Sequence, residues 1–275
     1  MKRAAVSAVL AVSLLATAGC GSDETEASVG PGGDMVLATT TSTQDSGLLD
    51  EILPVFDKSS DCVVKTVAVG SGQAMKMGER GDADVLLVHS PEAEEQFMAD
   101  GHGSSREAVM HNDFVVVGPP DDPAGVADAA DAAEALSRIA DQKASFASRG
   151  DDSGTHAKEL SLWEEAGIEP TGSWYVETGQ GMGDTLTIAD QKQAYTLSDR
   201  STFLATSSLE SDIAFEGSDD LRNNYHVIVV DHEGTNTGCA EEFSSWILET
   251  PVQDMIAEFG VDEYGEQMFA PDARN

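Results

Sequence analysis

Short apolar blocks recur along the chain, each followed by small or hydroxyl-bearing residues and then by a stretch with helical spacing. Residues 35–38 predict a strand. Five hydroxyl residues, Thr39 to Thr43, follow it, and Leu48, Leu49, Ile52, Leu53 and Phe56 then share one helical face. Pro54 lies inside that pattern and predicts a kink or a later start. Residues 63–69 predict a second strand, which Gly70-Ser71-Gly72-Gln73 turns into a short helix carrying Met75 and Met77. Residues 84–88 form a third apolar block, and Ser90-Pro91-Glu92 opens a helix with a capping serine and a first-turn proline, closed by Gly101. Residues 114–117 read as a continuous apolar strand, followed by an alanine-rich helix around 126–140 and a strand at 144–147. Strands at 173–176 and 194–197 alternate with helices through Leu162 and Trp163, and through Leu186 and Ile188. Residues 225–230 mirror the block at 114–117, and helices around 240–248 and 252–259, separated by Pro251, follow. Alternation of this kind predicts α/β architecture with mostly parallel sheets. No internal repeat of fixed period is present.

The junction at Ser148-Arg149-Gly150-Asp151-Asp152-Ser153-Gly154-Thr155-His156 is the richest in chemistry. A helix N-terminus there offers unpaired backbone N–H groups and partial positive charge. Arg149 adds a planar fork of donors suited to an oxyanion. Capping alone also explains Asp or Ser before a helix. The hydroxyl run at 39–43, the turn at 70–73 and the glycine-rich turn Thr178-Gly179-Gln180-Gly181-Met182-Gly183 are junctions of the same kind. The last of these lacks the lysine and hydroxyl of a mononucleotide loop.

Composition sets the compartment and removes some function classes. Lys2 and Arg3 precede an apolar run at 4–18, shorter than the roughly 20 residues a bilayer span requires, so residues 1–19 read as a secretory signal peptide. Ala18-Gly19-Cys20 has the ending of a lipoprotein processing site, although Thr17 stands where leucine is usual. Residues 20–34 are then a lipidated cysteine and a flexible tether. Of 275 residues, 256 remain after such cleavage, and the net charge of −35 becomes −37. Nucleic acid is excluded as a partner by that balance. The acids are scattered through every segment, and the regular apolar blocks argue against disorder. An acidic coat of this size suits a halophilic protein, because at ~1 M salt the Debye length is only about 3 Å. Cys62 and Cys239 either pair or remain as two free buried thiols, and they lack the spacing of a zinc site.

In open α/β sheets, ligands bind beyond the carboxyl ends of strands, where helix N-termini converge. Junctions on both sides of residue 114, with two apolar strands as crossings, predict a clamshell with an anion in its cleft. The runs beginning Leu37-Ala38-Thr39-Thr40-Thr41-Ser42-Thr43, Asp82-Ala83-Asp84-Val85, Asn112-Asp113-Phe114-Val115, Ser148-Arg149-Gly150-Asp151 and Trp174-Tyr175-Val176-Glu177 carry a resemblance. Over about residues 36–271 the chain resembles the tungstate-binding component of ABC importers (the Tup type). The resemblance implies a type II periplasmic-binding-protein fold, two α/β lobes joined by two crossing strands with the ligand between them. Residues 35–113 and 230–275 would form one lobe and 114–229 the other. It further implies an extracytoplasmic monomer, held by lipid at Cys20 to the outer face of the cytoplasmic membrane, that delivers its oxyanion to a membrane permease without a cofactor.

By the same resemblance the oxyanion site comprises Thr40, Thr41, Ser42 and Arg149, with Ser153 and Thr155 beside the arginine. Ser71, in a turn where the family often has threonine, and Gly181 and Met182 complete it. Gln44, where the family has an aromatic, and Cys62 depart from the pattern. Tungstate and molybdate are dianions that need donors alone, whereas monohydrogen phosphate gains from a carboxylate acceptor. Asp151 and Asp152 could accept such a proton, or could cap the helix and hold Arg149. Sulfate and phosphate therefore stand as alternative ligands beside molybdate. A hydrolase built on Ser153 or Asp151 with His156 is the competing class; the nucleophile-elbow motif is absent around Ser153.

Overall fold

Both faces of the first strand are apolar, and each is covered by its own set of helices. The computed structural model describes residues 31–273; the expected signal peptide, Cys20 and the tether as far as residue 30 lie outside the described residues. The elements in chain order are β1 (Gly32–Thr40), α1 (Thr41–Asp45), α2 (Leu48–Ser59), β2 (Asp61–Val69), α3 (Ser71–Glu79), β3 (Val85–Val88) and α4 (Pro91–Ala99). They continue with β4 (Gly103–Gly118), α5 (Ala132–Gln142), β5 (Phe146–Ser148), α6 (Gly154–Glu165), β6 (Tyr175–Glu177) and α7 (Met182–Lys192). The remainder is β7 (Thr196–Asp199), α8 (Arg200–Ala205), β8 (Asp212–Phe215), β9 (Arg222–Val230), α9 (Thr237–Ile247), α10 (Thr250–Glu258), α11 (Val261–Tyr264) and β10 (Ala270–Pro271). Gly32 to Asp34, expected in the tether, already pair with Asp61 to Val63 as the start of β1.

The first sheet runs β10-β4-β9-β3-β1-β2. Alternation along β1 sends Met35 and Leu37 to one face, where α2, α9 and α10 bring Leu49, Ile52, Phe56, Phe243 and Ile256. Phe56 meets Phe243 edge-on at 5.3 Å and Trp246 at 5.0 Å. Ala38 faces the other way with Leu86 and Val88, under Ala74 of α3 and Phe97 of α4. Each fully buried aliphatic or aromatic side chain in such a layer contributes about 1.5–3 kcal/mol. Helix α2 runs without interruption through Pro54, which lies on its exposed face.

Strand β4 ties the two lobes together. Its first part, Gly103 to Asp113, pairs with β9, whereas Phe114 to Gly118 pair with β7 and β8 in the second sheet. The second lobe adds the parallel pair β5–β6 and buries Leu136, Ile139, Phe146, Leu162 and Trp163 on one side of β4, Met182 and Leu186 on the other. Two expectations need correction. Residues 222–229, expected in the second lobe, pair in the first sheet as β9, so the return crossing precedes Arg222. The sheets are also not mostly parallel: β4 leaves the first lobe and β9 returns to it, so their pairing with each other and with β3, β7 and β8 is antiparallel.

Cys62 at the edge strand β2 and Cys239 on α9 form a disulfide with their Cα atoms 5.8 Å apart. It closes a loop across 177 positions and so pins the last part of the first lobe to its second strand. Among the described residues, no helix is long and apolar enough to cross a membrane.

Candidate functional site

Strand β5 ends at Ser148, and the chain reverses within five residues to start α6. Two of those residues adopt left-handed backbone, Gly150 at φ 59° and Asp152 at φ 57°. Glycine is required at the first of them twice over, because a Cβ there would come within 2.7 Å of the Glu177 Cβ. Ser153 caps α6, its Oγ accepting from the His156 N–H at 3.2 Å. The reversal turns Arg149 inward, where the side chain is 2% exposed. Its Nη2 donates to Asp151 Oδ2 at 2.5 Å and to Thr41 Oγ1 at 3.2 Å, and its Nε to the Gln180 carbonyl at 3.3 Å. Its Nη1 makes no hydrogen bond among the described residues.

Those contacts bring four strand-to-helix junctions together across the lobes. Thr41 belongs to the β1–α1 junction of the first lobe and Gln180 to the β6–α7 junction of the second. The β2–α3 junction joins them through the Gly72 N–H, which donates to the Asp152 carbonyl at 3.3 Å. Ser71 Oγ lies 3.0 Å from where a Cβ on Gly154 would stand, and the His89 carbonyl only 2.7 Å from it. The start of α6 thus presses on the first lobe closely enough to need glycine. Gly181, capping α7, would likewise carry a Cβ 3.7 Å from Thr41 Oγ1. The lobes are closed on each other at this point.

Of the residues expected at the site, Thr41, Ser71, Arg149, Ser153, Thr155 and Gly181 meet at this convergence. Ser71 Oγ and Thr155 Oγ1 are fully buried and make no hydrogen bond among the described residues. Thr41 Oγ1 accepts from Arg149 and retains its own proton, as does Ser153 after accepting from His156. Thr40 and Ser42 are differently placed. Thr40 Oγ1 caps α1 and contacts Thr43 Oγ1 at 2.6 Å and Ser42 Oγ at 3.0 Å. Ser42 Oγ also reaches His89 Nε2 at 3.2 Å. Met182 packs its side chain among Val115, Val117 and Leu186, so the thioether is core and only the backbone N–H at the first position of α7 can serve a ligand. Asp151 holds Arg149 with one oxygen and accepts from the Ser153 N–H with the other at 3.3 Å, while Asp152 is exposed.

The serine-hydrolase arrangement does not form. Ser153 bonds the backbone of His156, not its ring. The ring accepts the Asp152 N–H at Nδ1, and its Nε2 is buried with no partner among the described residues.

Sequence reasoning missed a buried polar network behind the hydroxyl turn. His89, Asn112, Asp199, Ser201, Thr202 and Asn223 are all buried, and they come from just after β3, the middle of β4, the end of β7, the start of β9 and the first turn of α8. Asp199 caps α8 and accepts from Thr202 N, from Thr202 Oγ1 and from Ser201 Oγ at 2.6 Å. Complete burial holds the His89 imidazole below its ordinary pKa, against the opposing pull of Asp199. The one available signal was a polar residue closing an apolar block, as His89 does after Val88. In the second lobe Glu159 of α6 accepts from Trp163 Nε1 at 3.0 Å and Tyr175 Oη at 2.8 Å. Its burial pushes the carboxyl up to about 7.

Known proteins share this arrangement of sequence and fold. Residues 25–250 match the PBP superfamily domain. The chain is 51% identical over 247 residues to the tungstate-binding protein TupA of Peptoclostridium acidaminophilum, covering 88% of this chain and 86% of that protein. It is 47% identical over 262 residues to a putative ABC transporter anion-binding protein of Haloferax volcanii, covering 92% and 76%. The crystal structure of the tungstate ABC transporter from Geobacter sulfurreducens superposes with a TM-score of 0.74 at 46% identity, over 82% of this chain and 98% of that one. With the closed cleft between two α/β lobes, these likenesses establish that the chain belongs to the TupA family of solute-binding proteins within the PBP superfamily.

Proposed function

We propose that this protein captures tungstate outside the cytoplasmic membrane and delivers it to the membrane permease of an ABC importer. The observation that carries the reading is the chemistry of the enclosed seat. Arg149 and the hydroxyls of Thr41, Ser71, Ser153 and Thr155 supply donors, and the carboxylate bonded to the arginine, Asp151, has both oxygens engaged within the protein. A fully ionised tetrahedral dianion needs donors on every oxygen and no acceptor, which suits a seat built mainly from hydroxyls, backbone N–H groups and one guanidinium, whereas monohydrogen phosphate also gains from a carboxylate acceptor. Helices α3, α6 and α7 add backbone N–H groups at their N-termini. Relatives named for tungstate binding support the same ligand over sulfate or phosphate.

Binding closes the lobes around the anion, and the permease then receives it when they open. Cys20 takes the lipid anchor and the mature chain works as a monomer at the outer face of the membrane. The charge of −37 left after removal of Lys2 and Arg3 suits concentrated salt, where short-range hydrogen bonds rather than long-range steering provide the affinity. The test is calorimetric titration of the unlipidated mature chain at high salt with tungstate, molybdate, sulfate and phosphate. Tight tungstate binding with weak phosphate binding is expected. A preference for phosphate or sulfate overturns the ligand, a stronger response to molybdate reassigns it, and turnover of an ester overturns the class. Cys20→Ala is expected to release the protein from the membrane into the medium.

A further inference from the structure

Hydrogen-bond direction in the buried network can be read from its one anionic end. The Asp199 carboxylate offers only lone pairs, so Ser201 Oγ, 2.6 Å from Oδ1, must donate to it. Ser201 therefore accepts from Asn112 Nδ2 at 3.1 Å, which leaves Asn112 Oδ1 to accept from Asn223 Nδ2 at 2.8 Å. Asn223 then presents Oδ1 to His89 Nδ1 at 2.9 Å, so the ring proton sits on Nδ1. A neutral imidazole protonated there has a bare Nε2, and Ser42 Oγ, 3.2 Å away, must donate to it. Thr40 Oγ1 donates in turn to Ser42 Oγ and accepts from Thr43 Oγ1. The chain of donors runs one way from the hydroxyl turn to Asp199, through both crossing strands.

We propose that His89 is the positioning residue of the oxyanion seat: as the Nδ1–H tautomer it draws the Ser42 hydroxyl proton away from the cleft and ties the β1–α1 turn to β4 and β9. The proposal rests on the oxyanion reading given above and changes which groups serve it. Thr40 and Ser42, although part of the hydroxyl turn, hold the turn in place. The anion is gripped by the hydroxyls whose protons stay free, those of Thr41, Ser71, Ser153 and Thr155, and by Arg149. Because Asn112 and Asn223 lie on the crossing strands and Ser201 on the second lobe, the same chain registers the turn against the hinge. The ring is further fixed by stacking on Tyr225 at 4.6 Å and 26°. Burial favours the uncharged ring over an imidazolium, with Asp199, Glu94 and Arg149 as the charges that face it.

Nitrogen NMR of the histidine ring tests the direction of the chain on the ligand-free protein and again with tungstate. A protonated Nδ1 and a bare Nε2 on His89 are expected in both. A proton on Nε2 in the loaded protein overturns the proposal, since Ser42 would then be free to donate to the anion. His89→Phe keeps the ring stack and removes both hydrogen bonds, and is expected to weaken tungstate binding at least tenfold. His89→Gln returns an acceptor to Ser42 and is expected to recover most of that loss. Affinity unchanged in His89→Phe, with wild type binding normally, overturns the positioning role. Failure of the wild type itself to bind tungstate overturns the oxyanion reading instead, and the ring spectrum of the free protein still decides the tautomer.

Discussion

Arg149→Ala removes the guanidinium on which the four junctions converge, and its cost has two parts. The first is lost donation: a hydrogen bond to a charged partner contributes about 1.5–3 kcal/mol, and Nη1 has no competing acceptor among the described residues. The second is an exposed conflict. Asp151 Oδ2, now 2.5 Å from Nη2, is left as an uncompensated charge beside the anion. At an effective dielectric of ~20 and a separation of about 5 Å, each unit of ligand charge is then opposed by about 3 kcal/mol, reduced by salt and by partial exposure of Asp151. Truncating one member of a buried charged pair costs about 2–5 kcal/mol in measured interfaces. The expected outcome is therefore a dissociation constant for tungstate raised roughly 10²- to 10³-fold in calorimetry at high salt. Arg149→Lys retains the charge without the fork and is expected to fall between. Adding Asp151→Asn to Arg149→Ala is expected to recover at least tenfold. An Arg149→Ala affinity within threefold of wild type refutes the reasoning, and a double variant no better than the single one refutes the Asp151 part of it.

Three further outcomes follow from particular contacts. Gly154→Ala places a methyl group 2.7 Å from the His89 carbonyl, so it is expected to wedge the lobes apart and weaken tungstate binding at least tenfold while leaving thermal stability of the free protein nearly unchanged; small-angle scattering that shows normal closure on ligand addition would contradict this. Cys239→Ser opens the loop of 177 positions and is expected to lower unfolding free energy by about 2–5 kcal/mol in urea titrations, with no effect if the pair is reduced in the native protein. The Glu159 carboxyl titrates at about 7 when folded against an ordinary 4.5, so the stability it contributes is complete below about pH 4.5 and is lost as pH rises through 7. Glu159→Gln removes that slope and is expected to stabilise the protein above pH 7 by up to about 3 kcal/mol; identical pH profiles of wild type and variant would place its pKa elsewhere.

Local patterning determined much of this protein in advance. Alternating apolar blocks and helical stretches specify α/β lobes, since period and burial are properties of the chain itself. The junctions rich in Ser, Thr, Gly and Arg were legible too, because a helix start that must bind rather than merely cap carries more donors than a cap requires. Tertiary structure decided what those junctions do. Thr40 and Ser42 sit in the same hydroxyl run as Thr41, yet only packing against His89 and the crossing strands turns their protons inward. Met182 follows a glycine-rich turn like a ligand residue, but its side chain faces Val115 and Val117 across the second lobe's sheet. The return crossing falls before Arg222, not near residue 229, because strand pairing rather than apolar content assigns β9 to the first lobe. Cys62 and Cys239 stand 177 positions apart, and only the approach of α9 to β2 makes them partners. A one-dimensional pattern encodes which groups can donate, accept or be buried; which partner each one meets depends on contacts between distant segments, and those exist only once both lobes have folded and closed.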